Sequence, residues 1–156
     1  MLPVGLKAFL TMYSRPTSGT RVVEFDVQLT SQQSKSWNGD RTIEVEMWDC
    51  SGSTQYEGCW PAIQKDCLGV VIVYNPENRT QSTEVETWYD WFVEKGGLKA
   101  EQCLVLANDR NSGHDDPRGS PPKTLEDSEI IFTDSESGEK IKSAFQEFLA
   151  VAGRYK

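Results

Sequence analysis

Histidine is nearly missing from this 156-residue sequence, and His114 is the only one. The four cysteines, Cys50, Cys59, Cys67 and Cys103, include no C-x-x-C pair. Tetrahedral zinc sites draw on closely spaced cysteine and histidine, so no zinc centre is expected. The cysteines read instead as reduced thiols, with Cys67 and Cys103 buried beside apolar strands. Basic residues are also scarce. Sixteen Lys and Arg against 24 Asp and Glu leave a net charge of −8. That argues against nucleic acid or an anionic membrane surface as partner, because both need a basic face. Long apolar runs are absent too. The longest, residues 70–74 among them, fall far short of the ~20 residues of a membrane-spanning helix. The opening MLPVGLKAFLTMYSRP lacks the basic start, apolar stretch and cleavage site of a secretory leader. No prenylation cysteine or myristoylation start is found, so no lipid anchor is expected.

What is present is a core. Apolar residues make up 37%, and five tryptophans stand among the aromatics, which is too much large apolar surface for a disordered acidic chain. Residues 20–29 alternate, with Val23, Phe25, Val27 and Leu29 on one face. Residues 42–49 alternate through Ile43, Val45 and Met47. With an Asn38-Gly39 turn signal between them, the two runs predict an antiparallel hairpin. The pattern then changes. Residues 68–75, 103–108 and 129–133 are apolar without alternation, as parallel strands buried on both faces are.

Val85, Trp88, Tyr89 and Phe92 recur at helical spacing. A Thr83–Glu86 capping box and a Gly96-Gly97 stop bound that helix, and Asn78-Arg79-Thr80 reads as a turn ahead of it. A final helix is predicted over 138–152. Residues 109–124 read as one long surface loop. The fold class is α/β in one domain over 1–156, with a mostly parallel sheet and one antiparallel edge strand.

Ligands of such sheets bind beyond the carboxyl ends of the strands. One end carries Asp49-x-x-Gly52. Nucleotide switch proteins use that spacing to reach Mg²⁺ through water and to meet a γ-phosphate; an aspartate opening a tight turn satisfies it equally. Asn108 ends the strand over 103–108, with Asn111 three residues on. Thr133, Asp134 and Ser135 end the last, where helix capping is a sufficient explanation of the residue types.

The element order resembles the Ras-like small G-protein superfamily. The stretches YSRPTSGTRVVEFDV (13–27), MWDCSGSTQYEGCWPAIQKDCLGVVIVYNP (47–76) and TWYDWFV (87–93) are more closely similar to the Rab-like 5 family, the small G-protein-like subunit of the intraflagellar transport B complex. The resemblance covers residues 13–108 by sequence and the rest by element order. It implies GTP or GDP and Mg²⁺ as ligands, with Thr17 and Asp49 toward the metal. Gly52 would face the γ-phosphate, and Asn108, Asn111, Thr133, Asp134 and Ser135 the base.

Three departures stand against a working GTPase. No G-x-x-x-x-G-K-[ST] phosphate loop occurs anywhere. Ser53 takes the place of the glutamine that orients the attacking water. Asp109 and Asn111 degrade the base-recognition motif. Ahead of Thr17 the fold needs roughly 30 residues, and 16 are present. MLPVG is therefore expected to be a stub of the first strand and LKAFLTMY the end of the first helix, with the phosphate loop lost between them, giving an N-terminally abbreviated Ras-like G domain.

The implied role is a subunit acting by contact with the coiled-coil subunits of the B complex. It would work in cilium assembly, in the cytoplasm and at the cilium or flagellum and its base, with no catalytic residue and at most residual hydrolysis. The alternatives are a GTP-binding switch with slow turnover and an α/β domain for another ligand. Candidate contact residues are Tyr56, Trp60, Trp91 and Trp37, since Trp and Tyr dominate interface hot spots. Trp88 lies in the apolar stripe and reads as core, Trp60 reads equally as core or contact, and Trp91 lies off the stripe centre.

Overall fold

Alternation builds the first pair of strands. In the computed structural model, Thr20–Gln28 (β2) and Thr42–Ser51 (β3) run antiparallel. Val23 stands opposite Met47, Phe25 opposite Val45 and Val27 opposite Ile43, so one face of the hairpin is apolar. The structure describes residues 4–10, 17–33, 42–108, 122–125, 128–133 and 137–155. The Asn38-Gly39 turn and residues 109–121 lie outside these.

The apolar runs Gly69–Tyr74 (β4), Cys103–Asn108 (β5) and Ile130–Thr133 (β6) pair in parallel. The strand that joins them to the hairpin is Val4–Leu10 (β1). It pairs in parallel with β3, from Val4 on Val45 to Leu10 on Ser51, and with β4, from Leu6 on Gly69 to Leu10 on Val73. The sheet order is β2-β3-β1-β4-β5-β6.

Two expectations are corrected here. The first strand is complete rather than a stub, and residues 6–10 are strand rather than the end of a helix. The physical reason is pairing. Without β1 the facing edges of β3 and β4 would leave two rows of buried backbone groups without partners, and that outweighs any local helical preference of LKAFL.

Helices cover both faces. On one side lie Trp60–Gln64 (α1), opened by Pro61, and Arg79–Tyr89 (α2). They bury Trp60, Ile63, Val85 and Trp88, joined by Phe92 just beyond α2, against Val70, Ile72 and Val105. On the other side Gly138–Ala152 (α3) sets Phe148, Leu149 and Ala152 against Val71, Leu104 and Ile131, with Phe145 stacked on Phe25 at 6.4 Å.

The start of α2 differs from expectation. Asn78 is its cap, and its side chain accepts from the Thr80 amide at 3.0 Å. Thr83 lies a turn inside the helix, so the Thr83–Glu86 capping box is not its start; with Asn78 capping the Thr80 amide, the helix has already begun before Thr83. At its other end α2 widens into one π-turn, Asp90–Glu94, closed by the Lys95 amide on the Asp90 carbonyl at 2.8 Å.

The thiols divide by burial. Cys50 and Cys103 are buried, Cys67 is half-buried rather than buried as expected, and Cys59 is exposed. Burial, with a smaller contribution from Cys67, pushes the Cys103 thiol far above its ordinary value. The thiolate is the reacting form. Iodoacetamide at mildly alkaline pH is therefore expected to modify Cys59 first and Cys67 more slowly. Cys50 and Cys103 should react only after unfolding, read by peptide mass spectrometry; early modification of Cys103 would contradict this packing.

Candidate functional site

The carboxyl end of β3 carries the first group of candidates. Asp49 is buried there, with its side chain 8% exposed. One carboxylate oxygen accepts from the Thr17 hydroxyl at 3.2 Å. The other accepts from the Arg21 guanidinium at 3.0 Å. Arg21 sits directly across the ladder, in register with Asp49. Just before β2, Gly19 takes φ +79°, a left-handed conformation that suits glycine. Its carbonyl accepts from the Ser51 amide at 2.9 Å. The chain thus turns from Thr17 into β2 while staying bound to the end of β3.

Gly52 follows, buried, and Ser53 is exposed. The two-turn 3₁₀ helix Thr54–Cys59 then brings Tyr56 back over the site. The Tyr56 and Ser18 hydroxyls lie 3.1 Å apart.

A second group forms at the ends of β5 and β6. Asn108 and Thr133 are in register, and the Thr133 hydroxyl donates to the Ala107 carbonyl at 3.5 Å. From β3 to β5 the sheet takes three steps across β1 and β4, or about 14 Å at ordinary strand spacing. Asn111, Asp134 and Ser135 lie outside the described residues, as does Trp37. Arg21 went unnoticed in the sequence. Its only signal there is a basic residue opening an alternating strand, and the register that sets it against Asp49 depends on hairpin pairing.

The aromatic candidates separate. Trp60 is 1% exposed, and the expectation of a contact surface at its ring is corrected. The short α1 turns the indole inward, edge-on to Phe92 at 5.3 Å and to Trp91 at 5.7 Å. Trp88 is core. Trp91 is half-buried, with Lys95 over its ring at 5.4 Å and its carbonyl accepting from Gln64 at 2.6 Å. Tyr56 is half-buried at the site itself.

A profile of the Ras family matches residues 6–150. Intraflagellar transport protein 22 homolog from Danio rerio is 36% identical over 136 residues, covering 86% of this chain and 71% of that protein. The Homo sapiens homolog is 35% identical over 144 residues, covering 90% of this chain and 74% of its own. The chain belongs to the Ras family, in its intraflagellar transport protein 22 branch. Among solved structures, the GTP-bound T. brucei IFT22/74/81 crystal structure superposes with a TM-score of 0.66. It is 18% identical and covers 100% of both chains, a likeness of fold.

Family membership makes a guanine nucleotide the ligand class to test. Asn108 and Thr133 stand in register at the ends of β5 and β6. At the other end the Thr17 hydroxyl and both Asp49 oxygens are turned on one another and on Arg21. Leu10 and Thr17 are separated by six residues, TMYSRP. An eight-residue phosphate loop and the helix that follows it do not fit into six residues. The shortening thus lies after β1, inside the domain. These residues do not fit a Mg²⁺–triphosphate site of the Ras kind.

Proposed function

We propose that this chain is an atypical G-protein-like subunit of the intraflagellar transport B complex. It acts in cilium assembly by protein contact, with little or no GTP hydrolysis. The observation that carries this reading is the six-residue connection from β1 to Thr17. It leaves no length for the backbone amides and lysine that hold β- and γ-phosphates. Ser53 adds to it, because a serine there has no reach to orient an attacking water. The relatives' names support the assembly, and the partners proposed are its coiled-coil subunits. The place of action is the cytoplasm and the cilium or flagellum and its base. Tyr56 and the exposed edge of Trp91 are the contact residues proposed.

A second reading, a GTP-binding switch with slow turnover, is favoured by the Asn108–Thr133 pair and by Thr17 meeting Asp49. Thr17 and Asp49 would then turn to Mg²⁺, Gly52 to the γ-phosphate, and Asn111, Asp134 and Ser135 would join the base end.

One experiment separates the two. Protein purified without added nucleotide is denatured and its supernatant resolved by ion-exchange chromatography. No stoichiometric guanine nucleotide is expected, while co-purification with the coiled-coil subunits is retained. Stoichiometric GTP or GDP, lost in Asp49→Ala, would overturn the first reading in favour of the second.

A further inference from the structure

We infer that Arg21 is the built-in cation of Asp49, and that it latches the two switch segments together without a metal or a nucleotide. The inference rests on the nucleotide-independent reading above and adds how the closed arrangement is held.

A carboxylate as buried as Asp49 needs a compensating charge. In a nucleotide switch the metal and the γ-phosphate draw the threonine segment and the Asp-x-x-Gly segment together, and both relax when that phosphate is lost. Here the same two segments meet through side chains of the chain itself. Thr17 donates to one Asp49 oxygen and Arg21 to the other. Ser18 meets Tyr56, and the Ser51 amide is bound to the Gly19 carbonyl.

The arrangement is rigid where it needs to be. Arg21 and Asp49 are cross-strand neighbours, so the ladder sets their separation rather than a loop. The Arg21 side chain is 72% exposed and only its tip turns inward. With its arginine largely exposed to solvent, the pair contributes little to global stability. Its loss should therefore register where Asp49 is left unpaired, in the segments around it and not in the core.

Hydrogen exchange read by mass spectrometry tests this on the purified full chain. Peptides over 17–22 and 52–58 report the latch, and peptides over 69–74 report the core. In the wild type, protection of the two latch peptides is expected to be equal in EDTA and in Mg²⁺ with a non-hydrolysable GTP analogue. Arg21→Ala should speed exchange in both latch peptides by about tenfold, corresponding to about 1.4 kcal/mol of local opening, and leave 69–74 unchanged. Arg21→Lys should restore most of the protection. Tyr56→Phe, which removes a single hydroxyl, should loosen both latch peptides by less than Arg21→Ala does, since the bond it removes joins Ser18 to Tyr56.

Two results would overturn the latch. One is wild-type protection that appears only with Mg²⁺ and the analogue. The other is an Arg21→Ala protein indistinguishable from wild type in both latch peptides. The nucleotide content of the same preparation is measured separately. A nucleotide-free protein with an open 17–22 segment sinks the latch while leaving the proposed function standing.

Discussion

Trp60→Ala is expected to cost about 3–5 kcal/mol of folding stability. The indole is 1% exposed and packed edge-on against Phe92 and Trp91. Helix α1 is five residues long, and Trp60 and Ile63 are its buried anchors. Truncation removes the larger anchor and leaves a cavity that the rigid sheet beneath cannot collapse to fill. Among the described residues the indole N–H has no hydrogen-bond partner. Trp60→Phe therefore loses packing but no polar contact, and is expected to fall well below the alanine variant in cost. Urea unfolding followed by circular dichroism would check both, with the midpoint falling and the slope retained. An alanine variant as stable as wild type would mean that the Trp60 ring is not part of the core.

Gly96→Ala is expected to be the most damaging of the small substitutions, at about 1–3 kcal/mol. A Cβ at Gly96 would stand 2.3 Å from the Phe92 carbonyl oxygen and 3.0 Å from its carbon. Both atoms are backbone, so the π-turn itself must move. That turn sends Phe92 and Val93 into the core and holds out the Trp91 carbonyl to Gln64. The neighbouring Gly97 has φ +71°, and no described atom would lie within 4 Å of a Cβ there. Gly97→Ala meets conformational strain alone, about 1–2 kcal/mol. Gly58 has neither crowding nor a positive φ, and Gly58→Ala is expected to be close to neutral. Thermal unfolding should rank the three in that order.

The strands that were legible in the sequence are those whose periodicity is unambiguous. Val23-x-Phe25-x-Val27 has no helical reading, and the unbroken runs over β4 and β5 are too short for helices and too apolar for edges. VGLKAFL was different. Seven residues with one lysine fit a strand or two turns of helix, and only the vacancy between β3 and β4 decides. At α2, two caps competed, and a sequence offers no rule for which amide set is met first. The π-turn has no sequence signal at all. At the site, Thr17 and Asp49 were legible because each belongs to a recognisable segment. Arg21 was not, because its partner is set by hairpin register across 28 residues. Trp60 misled for the same kind of reason: a five-residue helix takes its orientation from Phe92 and Trp91, about thirty residues away in the chain.

The place of β1 has one more consequence. Among the described strands the sheet is two half-sheets, a hairpin of β2 and β3 and a parallel trio of β4, β5 and β6, and there β1 alone is hydrogen-bonded to both. Thr17, Arg21 and Asp49 ride on the first half; Asn108 and Thr133 ride on the second. Seven residues therefore act as the spacer bar between the two ends of the site. A shift of β1 by two residues, the smallest that keeps its faces and its ladder, against either neighbour would change the stagger of those ends while every side chain in each kept its own contacts.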